Sequence, residues 1–313
     1  MKIVRYNASL QDSWNRFVRL SRNGTFLHER QYMDYHADRF SDHSLLFYSD
    51  KDTLIALLPA NERQGVFYSH QGLTYGGLLL SPQVRTAEVL DILSQTLTYL
   101  RASHFSKMIY KCVPAIYHTY PAEEDLYALF RLGASLKIRN VSSALPLISP
   151  LTLSENRSRG VKKALRSGLL ISETADFTVF WQILEHNLRE KHATVPVHSL
   201  SEIQHLKSLF PDQIRCFEVQ AGNEVIAGSV LYITGEVVHI QYISATDTGR
   251  RLGALDLLFD TFIKAGFENK KWLDFGISTE QEGCYLNEGL IHQKEGFGGR
   301  AVVYDTYQID LNV

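Results

Sequence analysis

The chain has 313 residues, of which 45% are hydrophobic and 21% charged, and its formal net charge is −2. This composition is ordinary for a globular protein with a sizeable core, and the length suits two domains better than one. The slight negative charge argues against binding DNA through overall charge, and no run of 18 apolar residues predicts a transmembrane segment. The amino-terminal residues lack the apolar core of a signal peptide, so we expect a cytoplasmic protein.

Hydrophobic periodicity predicts a first half that begins with helices and continues with strands. In chain order the predicted elements are helices 9–20 and 26–40, strands 44–49, 53–60, 66–69 and 74–80, helix 84–101, strand 107–113, helix 123–132 and strand 136–147. Residues 50–52 predict a tight hairpin turn between the first two strands.

The second half predicts the same order of elements without evident residue identity. Its elements are strands 213–220, 224–233 and 236–244, helix 248–267, strand 271–274, a helical or loop segment 280–289 and strand 301–311. We therefore predict two α/β (α+β) domains at 1–150 and 151–313, each a mixed, mostly antiparallel sheet flanked by helices.

A basic helix is predicted over 154–168, between the two halves, with Ser154 as its N-cap. Four cations recur at spacings of three and four residues and share one face, and the small and apolar residues share the opposite face. The cations are Arg159, Lys162, Lys163 and Arg166, and the opposite face carries Val161, Ala164, Leu165 and Gly168. A solvated face and an anion-binding face both remain open.

Two further runs contain candidate ligand contacts. Arg250 and Arg251 stand in the first turn of predicted helix 248–267, where the helix dipole disfavours cations. A phosphate bound there would offset the repulsion, although surface arginines without a ligand are the alternative. His192 and His198 flank Pro196 in a polar loop and could act as bases or substrate contacts. No third ligand accompanies them, and the three cysteines are far apart without a C-x-x-C pair, so we expect no metal and no disulfide.

The stretch 272–300 combines an acid, a lysine and several glycines. Asp274 follows a short apolar run, and Lys294 lies two residues before a cluster of glycines at 296, 298 and 299. Such a backbone can approach a ligand closely, and a neighbouring lysine can present positive charge to an oxyanion. A turn that leads into the last strand is the alternative.

These runs resemble the FemAB-like branch of the GNAT acyltransferase superfamily. The run RGVKKALRSGL at 159–169 approximately follows that family's R-x-x-x-R-K-A-x-K-x-G-L pattern. Residues 293–298 match its closing F-K-x-x-F-G run, with Gln293 in place of the aromatic residue. The LDFGIST run at 273–279 and the loop around Pro196 are similar to the acetyltransferase subfamily near FemAB, whereas the first half matches only in its order of elements.

The resemblance implies two tandem GNAT-like domains, a donor channel in the second domain and an acceptor cleft between the two. It implies that Lys294 stabilises charge either on the tetrahedral intermediate or on the donor. It also implies a donor contact by a partial R-x-x-G-x-G/A motif, which Leu255 leaves incomplete. The candidate donor contacts are Arg250, Arg251, Gly253 and Ala254.

The catalytic base stays open among Asp274, Glu280, Glu282 and His198. Asp274 is favoured because it ends a predicted strand that faces the expected cleft. Candidate contacts with the acceptor are His192, Arg159, Lys162, Glu280 and Tyr285.

The predicted function is therefore N-acyl transfer from acyl-CoA to the amine of a small molecule or cell-envelope precursor. Acyl-CoA is expected as a co-substrate, with no permanently bound cofactor. Two alternatives remain. One is a Fem-type transferase that uses aminoacyl-tRNA and a peptidoglycan precursor, and the other is a non-catalytic binding module on the same fold.

Overall fold

The computed structural model describes residues 1–267 and 269–312, except for the side chains of residues 191, 192 and 265. The chain divides into two compact units. The first contains residues 1–141, 280–285 and the chain from Val303 onward, and the second contains 142–279 and 286–302. This division differs from the predicted boundary at 150, because the chain enters the second unit at Ser142 and later returns to the first.

The first unit has two groups of strands and an apolar core cluster. Its elements are β1 Lys2–Arg5, α1 Gln11–Leu20, α2 Arg30–Asp34, β2 Ser41–Asp42, β3 Leu45–Tyr48, β4 Leu54–Leu58, β5 Asn61–Arg63, β6 Val66–Tyr68, β7 Leu79–Leu80, α3 Thr86–Ala102, β8 Lys107–Lys111, α4 Glu124–Arg131 and β9 Ser135–Pro146. Strands β1, β3, β4 and β7 form an antiparallel sheet in the order β1-β3-β4-β7. Strand β6 pairs in parallel with β8, and α3 and α4 pack on the core.

The second unit carries a mostly antiparallel sheet covered by helices, as the sequence predicts. Its elements, with the hairpin and last strand that follow it in the chain, are α5 Glu155–Arg166, β10 Leu170–Thr174, α6 Thr178–His192, α7 Leu200–Leu209, β11 Ile214–Ala221, β12 Glu224–Ile233, β13 Val237–Ala245, α8 Asp247–Leu252, α9 Ala254–Ala265, β14 Trp272–Ile277, β15 Thr279–Glu280, β16 Tyr285–Leu286, α10 Glu288–Glu295 and β17 Arg300–Asp310. The strand order is β10-β11-β12-β13-β14-β9, and only the β13–β14 pair is parallel.

Several predicted elements are wrong in detail. The predicted helix 26–40 is a short 3₁₀ helix, Phe26–His28, followed by α2, because Glu29 between them is extended. Strand 74–80 shrinks to β7, since Gly77 has φ +82° and the backbone at Gly76 approaches Ser69 too closely for a side chain. Strand β10 and helices α6 and α7 lie in a stretch for which the sequence predicted no regular element.

The predicted helix 248–267 is broken into α8 and α9 at Gly253, which has φ +78°. A Cβ atom at Gly253 would lie 2.5 Å from the carbonyl oxygen of Gly160 in α5. The break therefore depends on glycine for both its left-handed conformation and its close contact with α5. As a result, a new helix N-terminus begins at Ala254.

Two negative findings hold for the described part of the chain. None of its helices combines the length and apolar character needed to cross a bilayer. Within the same residues, no group of three or more His, Cys, Asp and Glu side chains is arranged to hold a metal ion.

Candidate functional site

The parallel strands β13 and β14 diverge after only three pairs. The pairs run from Val237–Trp272 to His239–Asp274, whereas β13 continues to Ala245. A bulge opposite Val230 and Leu231 leaves Gln241 as an extra residue in β13, and Gly276 in β14 has φ +75°. Both irregularities bend the strands locally. Where parallel strands part, their facing backbone groups become available to a ligand.

We call the point at which β13 and β14 diverge the fork. Asp274 and His239 form the last pair before it. Asp274 is fully buried, and its carboxylate accepts hydrogen bonds from the Ser142 hydroxyl and from the backbone N–H of Gly276. Its other oxygen lies 2.8 Å from Nδ1 of His239. This contact places a proton on Nδ1, so that Nε2 is the ring nitrogen able to accept one. The sequence placed Asp274 at a strand end facing a cleft, but it lies within β14 with no exposed surface.

Lys294 lies in the last turn of α10 rather than in a glycine-rich turn. Asn287 caps this helix by accepting from the backbone N–H of Leu290. The Lys294 ammonium is buried and donates to the carbonyl oxygens of Gly276 at 2.8 Å and Ile277 at 2.7 Å. Burial lowers the pKa of Lys294 to about 8, and the nearby Asp274 carboxylate opposes that shift.

Lys294 is thus tied to the same segment of β14 that carries Asp274. An ammonium has three N–H donors, and the two carbonyl contacts leave one for a further acceptor. His239, Asp274 and Lys294 therefore surround the backbone of Gly276, and together they supply a proton acceptor and a hydrogen-bond donor. The sequence singled out two of these three residues and missed His239, which it had placed within a predicted strand without a role.

A cavity of about 440 Å³ lies beside the end of β13 and the start of α9. Three of the four predicted donor contacts, Arg250, Gly253 and Ala254, line it. Arg251 does not, since it lies on the exposed side of α8 and donates to the Thr248 hydroxyl. Gly253 provides no side-chain cap, so the first backbone N–H groups of α9 remain available at the cavity wall.

A second cavity of about 640 Å³ shares Asn187 and Arg250 with the first. The Arg250 guanidinium donates to the Ala245 carbonyl and to the Asp247 carboxylate, and it lies 3.5 Å from Oδ1 of Asn187. Asn187 in turn donates to the Ala245 carbonyl at 2.9 Å. These contacts place Arg250 at the border of the two cavities.

Arg157 is a functional candidate that the sequence reasoning did not identify. It donates to Asp256 at 2.9 Å, and its guanidinium lies 4.8 Å from the centre of the Phe297 ring. Burial raises the pKa of Asp256, and the pairing with Arg157 opposes that shift. Arg157 lies four residues before the buried Val161, so helical spacing places it on the inward face of α5.

The remaining predicted residues are separate from this group. Arg159 and Lys162 lie on the exposed face of α5, as predicted, whereas Leu165, predicted on the apolar face, is 61% exposed. His198 is buried, and its Nδ1 lies 2.6 Å from the hydroxyl of Tyr242 on β13, whose pKa burial raises to about 12.

The structure does not place three further predicted acceptor contacts at the fork. The side chain of His192 lies outside the described part of the structure. Glu280 and Tyr285 are exposed residues of the β15–β16 hairpin, and both belong to the first unit.

Residues 154–282 match the family model described as "Acetyltransferase (GNAT) domain". This part of the chain is a GNAT acetyltransferase domain. The matched segment includes the second cavity, most of the first cavity and the His239–Asp274 pair, whereas Gln293 and Lys294 lie beyond it. The domain belongs to an acyltransferase class, as the sequence predicted.

Solved structures share the fold over nearly the whole chain. FemX has a TM-score of 0.70 and 11% identity, over 100% of this chain and 98% of that chain. The structure of L-PGS from Bacillus licheniformis has a TM-score of 0.62 and 12% identity, over 97% and 92%. A tandem GNAT protein from the clavulanic acid biosynthesis pathway has a TM-score of 0.53 and 10% identity, over 99% and 98%. No curated protein matches the sequence.

Proposed function

We propose that the GNAT domain transfers an acyl group from acyl-CoA to the amine of a small molecule or cell-envelope precursor. The observation that carries this proposal is the placement of Lys294 and the His239–Asp274 pair around Gly276. Acyl transfer to an amine needs a proton acceptor for the nucleophile and a donor for the developing oxyanion. The fork supplies both.

In the proposed reaction, the acceptor amine attacks the thioester carbonyl and a C–N bond forms. Nε2 of His239 accepts the proton that the amine loses, while Asp274 holds the ring through Nδ1 and stabilises its charged form. Lys294 donates to the carbonyl oxygen as it gains negative charge. The C–S bond then breaks, and the proton on His239 neutralises the departing thiolate. Asp274 is thus a positioning residue in this proposal, and His239 takes the role of base.

The smaller cavity has features that suit the phosphates of coenzyme A. The first turn of α9 offers N–H groups and the positive end of a helix dipole, and Arg250 lies beside it. Asp256 lines this cavity and would oppose an anion there, as would Asp247 in the adjoining second cavity. Each is paired with an arginine, Asp256 with Arg157 and Asp247 with Arg250. Donor binding is therefore expected to depend on these pairs.

Thermal stability measured with a panel of acyl-CoA species tests the donor. A ligand at 100 times its Kd raises the free energy of unfolding by about 2.7 kcal/mol, which is readily seen as a rise in Tm. No rise with any member of the panel would contradict acyl-CoA as the donor. The Arg250→Met variant should lose the response, whereas Arg251→Met, its neighbour outside the cavity, should keep it.

Turnover with the identified donor tests the base. His239→Gln should lower kcat by about 10²–10⁴-fold and leave the donor-induced rise in Tm intact. His205→Gln provides a matched control, because His205 is an exposed histidine of α7. Equal kcat values for wild type and His239→Gln would remove His239 from the mechanism.

A second candidate function is aminoacyl transfer from tRNA to a peptidoglycan precursor. The exposed cations of α5 favour it, because Arg159, Lys162, Lys163 and Arg166 could contact phosphates of a nucleic acid. This candidate requires retention of aminoacyl-tRNA at low salt, a steep loss of binding with added salt, and weaker binding by Lys162→Ala. If wild type binds acyl-CoA but shows no turnover with any amine panel, the non-catalytic alternative gains support.

A further inference from the structure

Four basic side chains gather in the first unit, which contains none of the residues of the fork. We call them the histidine–lysine cluster: His28, His36, His70 and Lys111. His28, His36 and His70 are 0%, 2% and 4% exposed, and Lys111, at the end of β8, is partly exposed. They come from four separate segments of the chain, so the tertiary fold brings them together.

Three buried ring nitrogens of the cluster make no hydrogen bond of good geometry with the described residues, although backbone groups of Tyr75 and Gly72 lie beside the His28 and His36 rings. They are Nε2 of His28, Nε2 of His36 and Nδ1 of His70. Buried polar atoms are nearly always hydrogen-bonded in native proteins, and an unpaired group calls for an explanation such as a ligand. Three such atoms in one cluster therefore indicate a site rather than a single packing defect.

The rings are held in place by close aromatic packing. The ring centres of His36 and His70 are 5.6 Å apart, and that of Phe40 lies 4.9 Å from His36 and 5.5 Å from His70. Tyr35 stacks on His36 at 4.3 Å. A Cβ atom at Gly72 would lie 2.2 Å from Nε2 of His36, so this approach is possible only at glycine. The geometry of the cluster is thus built into the fold.

Positive charge in the cluster lacks a carboxylate partner. The Lys111 ammonium donates to the carbonyl oxygens of Gln71 at 3.2 Å and Leu73 at 2.7 Å, and no acid pairs with it in the described residues. Burial lowers the pKa of Lys111 to about 8. Burial also lowers the pKa of His70 well below its ordinary value, and the neighbouring His36, Lys111, Arg30 and His28 lower it further. Every one of these neighbours is basic.

We propose that the histidine–lysine cluster binds an oxyanion of the phosphate class, which accepts hydrogen bonds from Lys111 and from the unpaired ring nitrogens. A bound phosphate would supply the missing negative charge and several acceptor oxygens. Arg30 is not counted in the site, because Asp34 and Asp42 already pair with it. This inference is independent of the acyl-transfer proposal, since it concerns residues with no assigned part in that reaction.

Anion binding at this site should draw protons onto the cluster. Nδ1 of His36 donates to the Met33 carbonyl at 2.7 Å, which leaves Nε2 as the nitrogen that can gain a proton. The charged groups that influence the His36 ring are Asp38 and Arg39. Those that influence the His70 ring are the four bases named above. Affinity should therefore rise between pH 8 and pH 6, and it should fall above pH 8 as Lys111 loses its charge.

Sulfate is the first probe, because it does not titrate in this pH range and any proton taken up belongs to the protein. The full chain is titrated with sulfate at constant ionic strength, adjusted with sodium chloride, while the histidine ring signals are followed by NMR. The expected result is a saturable shift of the His36 and His70 signals at pH 6. Calorimetry in two buffers of different ionisation enthalpy should show proton uptake on binding.

Lys111→Met should weaken sulfate and phosphate binding by about tenfold or more, which corresponds to about 1.4 kcal/mol. Lys270→Met is the matched control, since Lys270 also donates to two backbone carbonyls, those of Thr234 at 2.7 Å and Gly235 at 3.2 Å. Its affinity for the anions should equal that of wild type. Acetate tests whether a carboxylate binds at the same site, and it should bind more weakly than phosphate.

Three results would overturn the proposal. The first is the absence of any saturable shift in wild type at pH 6, and the second is unchanged affinity in folded Lys111→Met. The third is acetate binding as tight as that of phosphate, which would exclude the phosphate class. If Lys111→Met does not fold, His70→Asn replaces it, because asparagine tolerates the φ of +65° found at His70. Unchanged sulfate affinity in that variant would count equally against the site.

Discussion

Each unit buries a lysine whose ammonium donates to two backbone carbonyl oxygens, and burial lowers the pKa of each to about 8. The two lysines differ in what surrounds those contacts. Lys294 lies near the Asp274 carboxylate, which opposes the effect of burial, whereas burial alone shifts the pKa of Lys111, and Lys111 is one of the bases that lower the pKa of His70.

The comparison shows that one pKa can arise in two different electrostatic environments. A lysine balanced by a nearby acid can interact with a charge that exists only during a reaction, because the resting site is already close to neutral. A lysine among bases is better suited to an anion that stays bound. This distinction can be tested by replacing each lysine and by varying the pH.

Among the changes that compare the two lysines, loss of the Lys294 ammonium should have the largest effect on turnover. Lys294→Met should lower kcat by roughly 10²–10³-fold, which is the usual effect of removing one oxyanion donor, with little change in KM for the donor. Steady-state kinetics with the donor and amine identified as above measure both constants. Lys270→Met is the control, and a kcat within twofold of wild type for Lys294→Met would refute the proposed role.

Acid should destabilise the first unit before the second. Burial lowers the pKa of His28 from 6.5 to about 4, so between these pH values the unfolded chain binds more protons than the folded one. Stability is therefore lost as pH falls through this window, by about 3 kcal/mol for His28 alone. His36, His43, His70 and His118, whose pKa values are also lowered, should add to the loss.

Hydrogen exchange at pH 7 and pH 4.5 measures this difference segment by segment. Protection should fall first in α3 and β8, which belong to the core of the first unit. The His28→Gln variant removes the titrating ring and can still accept from the Thr25 N–H, so its stability should depend less on pH. Equal loss of protection in both units would contradict the prediction.

The sequence predicted the elements with strong periodicity well, and it predicted breaks poorly. Strand β12 begins and ends at the predicted residues, because an almost continuous apolar run is bounded by turns at Gly222 and Gly235. The interruption at Gly253 was missed, since only the close approach of Gly160 makes a left-handed glycine necessary there. Such a contact joins residues far apart in the chain and leaves no local pattern.

The same reasoning explains which site residues could be predicted. Lys294 stands in a short motif, and Asp274 follows an apolar run, so both have local signals. His239 lies in a strand whose neighbours are apolar, and only its pairing with Asp274 distinguishes it from an ordinary half-buried histidine. The histidine–lysine cluster combines residues between positions 28 and 111, and local spacing could not assemble it.

Turnover should also decrease at alkaline pH. Lys294 loses its charge as pH rises through about 8, so kcat should fall above that pH, approaching tenfold per unit. Anion binding at the histidine–lysine cluster should fall over the same range, because the pKa of Lys111 is also about 8. A kcat that stays constant from pH 8 to pH 10 would exclude Lys294 as the charged donor.

The smallest effect distinguishes the two lysines most directly. Asp274 raises the pKa of Lys294 against the effect of burial, so the Asp274→Asn variant should move the alkaline limb of kcat to lower pH, by less than one unit. This variant also loses the carboxylate that holds the His239 ring, so kcat should be lower at every pH. The measurement is therefore the pH at which kcat begins to fall, and not the size of kcat.

Ser142→Ala provides the control for that shift, because it removes a hydrogen bond to Asp274 and keeps the carboxylate charge. Its alkaline limb should stay at the wild-type position even if kcat falls. A limb that stays in place in Asp274→Asn would show that the acid does not influence the lysine. Lys294 would then resemble Lys111, a buried cation bound by carbonyl groups alone. The nearby acid would no longer explain why Lys294 interacts with a charge that forms only during the reaction.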